Sequence, residues 1–170
     1  MNYTNLIVGA SSGIGQEIVK LQSHPNEILI ATYKNNSHKI PKADNLIKMK
    51  LDLADQENII CFVEKIKKTN SKIKRIFLVG AIPGVNSPDL SFAMKPSIED
   101  MVNFSTVNCF GYIRFLSEII GTSLIKEDCR ICVLSSLAGS STLRGKLIHN
   151  KPGGNLPYRI SKAALNSAVK

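Results

Sequence analysis

Short apolar runs alternate along the chain with stretches whose apolar residues recur every three or four positions. The first run, Leu6, Ile7 and Val8, reads as a buried parallel strand. A turn of Gly and Ser, "GASSGIG", follows, and Ile14, Ile18 and Leu21 then recur at helical spacing. "EILIATY" (Glu27 to Tyr33) predicts a second apolar strand. "NLIKMKLD" (Asn45 to Asp52) alternates, with Ile47, Met49 and Leu51 on one side and Lys48 and Lys50 on the other. That pattern suits a strand near a sheet edge, where lysines discourage stray pairing. Ile59, Phe62, Val63 and Ile66 mark an amphipathic helix with Asp55 as its cap. "RIFLVGA" (Arg75 to Ala81) predicts another buried strand, followed by a loop rich in Pro, Gly and Ser to about Pro96. One long helix is expected from Ser97 to about Lys126, then a strand at "RICVLSS". A loop containing Gly139, Gly145 and "KPGGN" leads to a last helix, capped by Asn155 with Pro157 in its first turn. Strands alternating with helices predict a parallel sheet covered on both faces.

Composition narrows the class without changing that picture. At 170 residues, 44% of them hydrophobic, the chain is expected to form one soluble domain over residues 1–170. No apolar run approaches the length of a membrane span, so no membrane partner is expected. The start of the chain has no basic stretch followed by an apolar block, which makes the cytoplasm the expected location. The formal charge is +9, much of it in "EKIKKTNSKIKR" (Glu64 to Arg75), read as a helix end and its following loop. A solvated helix face is the preferred reading over a nucleic-acid surface, because no aromatic residues are interleaved for base stacking. Cys129 and Cys132 form a CxxC, but residues three apart on a strand face opposite sides, and no second Cys or His pair completes a metal set. All four cysteines therefore read as structural, with no metal expected. His24, His38 and His149 fall in polar stretches and read as loop residues.

The glycine turn carries chemistry. Gly9, Gly13 and Gly15 let the backbone turn sharply between strand and helix and come close to a ligand. The helix N-terminus that follows suits a pyrophosphate, and Ser11 and Ser12 add hydroxyl donors. The spacing is GxxxGxG, and no Gly-Lys-Ser/Thr follows as in an ATPase phosphate loop. An ordinary tight turn is the bland alternative. A dinucleotide fold often places an acid after the second strand to hold ribose hydroxyls, but here the sequence is "TYKNN". Lys34 stands in that place and would pair with a 2′-phosphate, which favours NADP(H) over NAD(H); otherwise it is an exposed lysine.

Tyr158 and Lys162, in "YRISK", fall on one face of the last helix, one turn apart. A free phenol, with a pKa of about 10, is a poor base at neutral pH. A nearby ammonium favours the phenolate and makes the group a usable general acid in one direction and base in the other.

Taken together, the motifs resemble the short-chain dehydrogenase/reductase family, of the classical type, and look most like its C-factor-like subgroup. The resemblance runs through "GASSGIG", "LDLAD", "VNCFG", "VLSSLAG" and "YRISK" in order and covers essentially the whole chain. It implies a three-layer αβα Rossmann-type fold. It also implies an oxidoreductase moving hydride between NADP(H) and a ketone, aldehyde or alcohol. Tyr158 would exchange a proton with the substrate oxygen, and Ser136, with Ser135 as the alternative, would orient that oxygen. Lys162 would hold the nicotinamide ribose and assist the phenol, while Asn108 would help anchor a water chain. The coenzyme contacts so implied are Gly9, Ser11, Ser12, Gly13, Ile14, Gly15, Lys34, Asp52, Leu53 and Ala81, together with Tyr158 and Lys162.

The chain departs from the family pattern in four places, one of them a loop from Ser136 to Tyr158 that is longer than usual in the family. Val8 stands where a Thr often braces the turn. "VGAI" replaces Asn-Asn-Ala-Gly, leaving only Ala81 of that segment. The family's later strand and substrate loop are not matched, so the sequence reads as C-terminally truncated and leaves "RICVLSS" at a sheet edge. A non-catalytic dinucleotide-binding module, or an inactive truncated dehydrogenase, is the alternative function. A homo-oligomer through the helix from Ser97 to Lys126 and the helix carrying Tyr158 is the expected assembly.

Overall fold

The computed structural model describes residues 3–83, 96–144 and 155–169. Residues 84–95 of the loop expected before Pro96, and residues 145–154 with Gly145 and His149, lie outside the described residues. In chain order the elements are β1 (Tyr3–Val8), α1 (Gly13–Leu21), β2 (Glu27–Tyr33), β3 (Leu46–Lys50), α2 (Gln56–Lys67) and β4 (Lys72–Leu78). They continue with α3 (Ile98–Ser105), a π-helical turn (Thr106–Phe110), α4 (Gly111–Ile120), β5 (Ile125–Val133), α5 (Ser141–Arg144) and α6 (Leu156–Ala168). Two compact units emerge: Met1–Gly80 with Arg114–Leu134, and Ala81–Ile113 with Ser135–Lys170.

The first unit is built on a parallel sheet of order β3-β2-β1-β4-β5. Right-handed crossovers fix the helices. The chain steps one way from β1 to β2 and the other way from β3 to β4 to β5, so α1 covers one face and α2 the other. The register agrees. Ile7, Leu29 and Ala31 share a face and pack with Val19 and Ile18 of α1, and with Phe77. Thr4, Leu6 and Ile30 share the opposite face with Ile73 and Ile76. Burying each large apolar side chain contributes about 1.5–3 kcal/mol. The Rossmann-type three-layer arrangement is thus present.

Several elements match the pattern. β2 has the expected limits, and α2 buries Ile59, Phe62, Val63 and Ile66 with Asp55 accepting a capping bond from the Asn58 N–H at 3.0 Å. β3 lies at a sheet edge, with its lysines on the face opposite Ile47 and Met49. Cys129 and Cys132 are free thiols, as are Cys61 and Cys109. Among the described residues no helix is long and apolar enough to cross a membrane, and no cluster of His, Cys, Asp and Glu could hold a metal.

Other expectations need correction. In α1 the buried residues are Gly15 and Val19, while Ile14 and Leu21 are exposed. The helix turns a glycine toward the strand–turn backbone, so its inner face is offset by one residue from the large apolar ones. The long helix expected from Ser97 to Lys126 is broken by the π turn and stops at Ile120, and Lys126 belongs to β5. Thr122 ends it: its backbone N–H and its hydroxyl both donate to the Ile119 carbonyl, at 3.1 and 2.6 Å, a local bond that competes with the helix ladder. β5 begins five residues before Arg130. β4 starts at Lys72 and ends at Leu78, so "KIKR" is strand and not loop.

Two of those basic residues, Lys74 and Arg75, share one carboxylate distant in sequence. Between Thr4 and Asn5 the β1–β4 register slips, and Lys74 is the extra residue, a bulge in a parallel ladder. The bulge lets consecutive side chains reach one carboxylate. Lys74 Nζ and Arg75 Nη1 lie 2.8 and 3.2 Å from the two oxygens of Glu27, and the Asn5 amide donates to Glu27 at 2.6 Å. The lysine bond leads in holding the Glu27 carboxyl below its ordinary pKa of 4.5, against the opposing effect of burial.

A carboxyl with a lowered folded pKa stabilises the fold above its unfolded pKa and loses that contribution as pH falls through the folded value. Glu27→Gln should therefore cost about 1–3 kcal/mol near neutral pH in urea unfolding, and the difference from wild type should shrink below pH 4.5.

Candidate active site

In the first unit the coenzyme candidates gather at the C-terminal ends of the strands. Sheet order reverses between β1 and β4, and such switch points are where ligands bind in open α/β sheets. Gly9 leaves β1 with φ +92°, and a Cβ there would meet the Gly80 backbone at 2.2 Å. A Cβ on Gly15 would meet the Gly9 carbonyl oxygen at 2.2 Å. Both positions therefore require glycine for close backbone approach. Gly13 requires it for conformation, with φ +43° and open space around it. The turn is braced by Thr32 of β2, a residue the sequence reading passed over. Its hydroxyl accepts the Gly9 N–H at 3.1 Å, and its carbonyl accepts the Ala10 N–H at 2.8 Å. The bracing hydroxyl missed at Val8 is thus supplied from the neighbouring strand. A threonine inside an otherwise apolar strand was the available signal. The Gln16 amide ties the turn to the next loop through the Ser11 and Lys39 carbonyls, at 3.3 and 2.8 Å.

The residues present suit a dinucleotide phosphate. Ser12 precedes α1 in extended conformation, but its hydroxyl makes no capping bond, unlike the caps Asp55, Ser97 and Asn155. No acid stands in the first turn of α1. With Ser12, Gly13 and Ile14 exposed, the uncapped turn presents donors and a positive dipole end to an anion. Lys34 follows β2, Asp52 and Leu53 follow β3, and Leu53 is buried.

The second unit contains Asn108, Ser136, Tyr158 and Lys162. Asn155 caps α6 by accepting the Tyr158 N–H at 3.0 Å, and Pro157 sits in its first turn. Tyr158 is half-buried and Lys162 is 2% exposed. Lys162 Nζ lies 5.9 Å from the Tyr158 ring centre, so the two share a face as expected. Burial pushes the Lys162 ammonium below its ordinary pKa, partly opposed by the neighbouring Cys109 thiol. Desolvation likewise raises the Cys109 thiol and the fully buried Tyr112 phenol, the latter with a further push from Tyr158.

Asn108 lies in the π turn, completely buried. Its Oδ1 accepts the Ile82 N–H at 2.7 Å, and its Nδ2 donates to the Ile82 carbonyl and to Ser161 Oγ, each at 3.1 Å. Ser161 in turn donates to the Tyr158 carbonyl at 2.8 Å. Both amide hydrogens of Asn108 are therefore spent on the segment after β4 and on the residue beside Lys162. The polar steadying that "VGAI" lost comes from this side chain. Ala81, just before Ile82, is exposed.

Ser136 opens a 3₁₀ turn, Leu137–Gly139, and its hydroxyl accepts the Ala138 N–H at 3.1 Å, leaving its own hydrogen unspent in that bond. Ser135 is hydrogen-bonded to the Asn166 side chain on α6, so Ser136 is the better placed of the two. Gly139 sets the distance of this turn from α6, since a Cβ there would meet the Lys162 carbonyl carbon at 2.6 Å. That role was invisible in the sequence, where Gly139 was one loop glycine among several.

A family model described as short chain dehydrogenase matches residues 4–170. An uncharacterized oxidoreductase of Saccharomyces cerevisiae is 30% identical over 98% of this chain. The 1-hydroxy-2-glutathionyl-2-methyl-3-butene dehydrogenase of a Rhodococcus species is 26% identical over 96% of it. The chain spans 66% of the length of each of these two proteins. A crystal structure of a short-chain dehydrogenase/reductase from Burkholderia multivorans with bound NADP has the same fold. It superposes with a TM-score of 0.76 at 24% identity, covering 98% of this chain and 70% of that one.

Gly139→Ala should force the turn carrying Ser136 away from α6 and lower stability by about 1–3 kcal/mol, read by thermal or urea unfolding. Thr32→Val, which keeps the side-chain shape but strands the half-buried Gly9 N–H, should cost about 1–3 kcal/mol, read in the same way.

Proposed function

The chain belongs to the short chain dehydrogenase family, and on that footing we propose that it moves hydride between NADP(H) and a ketone, aldehyde or alcohol. Residues 1–170 would form the NAD(P)-binding domain of that activity. The observation that carries the reading is a buried ammonium, Lys162, held against the face of a half-buried phenol, Tyr158, one helical turn away. A cation beside a phenol favours the form in which the phenol oxygen carries negative charge. The NADP-bound neighbour, Lys34 and the lack of an acid after β2 support the phosphorylated coenzyme.

The nicotinamide coenzyme, when bound, supplies or accepts the hydride. The turn from Gly9 to Gly15 binds its phosphates through backbone N–H groups and the Ser11 and Ser12 hydroxyls. Asp52, Leu53 and Ala81 line its path. Tyr158 passes its hydroxyl proton to the substrate oxygen in reduction and recovers it in oxidation. Lys162 stabilises the negative charge that develops on that phenol and holds the ribose. Ser136 donates its remaining hydrogen to the substrate oxygen and orients it. Asn108, through Ser161 and Ile82, braces the helix turn that bears Tyr158 and Lys162 and stands beside any water chain that resupplies the proton. Assembly into a homo-oligomer through the α3–α4 stretch and α6 belongs to the same reading. It is supported by the exposed Ile98, Val102 and Phe110 on the former and Ile160 on the latter. A cytoplasmic location also belongs to it.

Loss of NADPH absorbance across a panel of ketones and aldehydes tests the reaction. Tyr158→Phe should lower turnover by about 10²- to 10⁴-fold, the usual range for a general acid, while NADPH affinity by calorimetry stays within a few-fold. Coenzyme binding without turnover on any carbonyl would instead select a non-catalytic binding module.

A further inference from the structure

The sequence assigns Lys34 and Asp52 separately to the coenzyme, and the structure joins them to each other. Lys34 Nζ lies 3.0 Å from Asp52 Oδ2. The strands that precede them pair in parallel, with Tyr33 opposite Lys50, and the Leu51 N–H donates to the Tyr33 carbonyl at 2.9 Å. The two side chains therefore leave the sheet side by side.

The partners are unequal. Asp52 is fixed: its Oδ1 accepts the Ala54 N–H at 3.0 Å, its own N–H donates to Asn58 Oδ1 at 2.8 Å, and its carboxylate is 23% exposed. Lys34 is 57% exposed, a point charge at the end of a flexible four-carbon stem. When a competing anion arrives, the lysine can move and the aspartate cannot.

We propose that Asp52 is a specificity-determining residue for the coenzyme, because its anchored carboxylate holds Lys34 until a 2′-phosphate draws the ammonium away. This rests on the reading of the site as an NADP(H) site. A phosphate monoester carries about −1.5 to −2 charge at neutral pH and outcompetes a single carboxylate for one ammonium. Asp52 is then left facing the phosphate, and that repulsion subtracts from the gain. A ribose with a free 2′-hydroxyl leaves the ion pair intact. The preference for NADP(H) is thus the difference between two ion pairs, smaller than Lys34 alone would give.

Dissociation constants of NADPH and NADH for the intact chain, measured by calorimetry in a cycle of wild type, Asp52→Asn, Lys34→Met and the double variant, test this. Asparagine keeps the acceptor for the Ala54 N–H, and melting curves verify folding. Exposed ion pairs of this kind correspond to roughly two- to fivefold in an equilibrium. Asp52→Asn should therefore raise the NADPH:NADH affinity ratio about two- to fivefold, and by less than half that factor when Lys34 is already Met. Lys34→Met alone, at a half-exposed position that does not threaten folding, should lower the ratio and leave NADH affinity equal or tighter. An unchanged ratio in Asp52→Asn, or the same change with and without Lys34, or weaker NADH binding in Lys34→Met, would overturn the proposal. Wild type binding neither coenzyme would overturn the NADP(H) reading itself, and this inference with it.

Discussion

Everything in the first unit is organised by the approach of two backbones at Gly9 and Gly80. They come so close that neither position admits a Cβ without displacement. The contact brings the ends of β1 and β4 together where the sheet reverses its order. It also forces the chain into a positive-φ turn and sends α1 away with its N-terminus uncapped. The Thr32 hydroxyl and carbonyl on one side, and the Val8 carbonyl accepting both the Val79 and Gly80 N–H groups on the other, hold the turn in place. Anion binding and strand packing thus have one cause, the absence of side chains at a crowded point. The same cause explains why the inner face of α1 begins with a glycine.

The second unit repeats the device with different parts. Gly139 lets a 3₁₀ turn lie against the backbone of α6 at Lys162. Asn108 does by hydrogen bonding what Gly139 does by packing, linking the segment after β4 to Ser161. The π turn around Asn108 places an irregular stretch of helix at that point, as such turns often do near functional groups. Two buried groups, the Cys109 thiol and the Tyr112 phenol, are kept neutral by desolvation. Lys162 lies among these buried neighbours, its pKa pushed down by the same burial, and Tyr158 is the half-exposed partner beside it.

Legibility in the sequence followed the kind of interaction involved. β2, α2 and the caps Asp55 and Asn155 could be read because their signals are local: an apolar run, a 3.6-residue period, a side-chain oxygen one turn before a free N–H. The glycine turn and the Tyr158/Lys162 spacing were readable for the same reason. What could not be read depends on distant partners. "KIKR" looked like a charged loop because Glu27, which pairs with Lys74 and Arg75, lies far away in sequence. The helix from Ser97 looked continuous because an extra residue in a π turn leaves no mark on composition. Gly80 and Gly139 carry no local signal, since they act through the atoms they lack, and Thr32 shows locally only as a polar residue in an apolar strand, its hydrogen-bond partner being tertiary.

The bulge at Lys74 has a consequence for how β4 is aligned with other chains. Ile73 beside Thr4 and Ile76 beside Leu6 lie on one face, although they are three positions apart. An uninterrupted strand would turn one of the two to the opposite side. Lys74 therefore acts as a phase marker, with the side-chain alternation before it out of step with the alternation after it. A sister sequence one residue shorter here keeps both isoleucines on that face only if its gap falls between them. Shifting that gap by several positions leaves the length right but inverts the polarity assigned to half the strand.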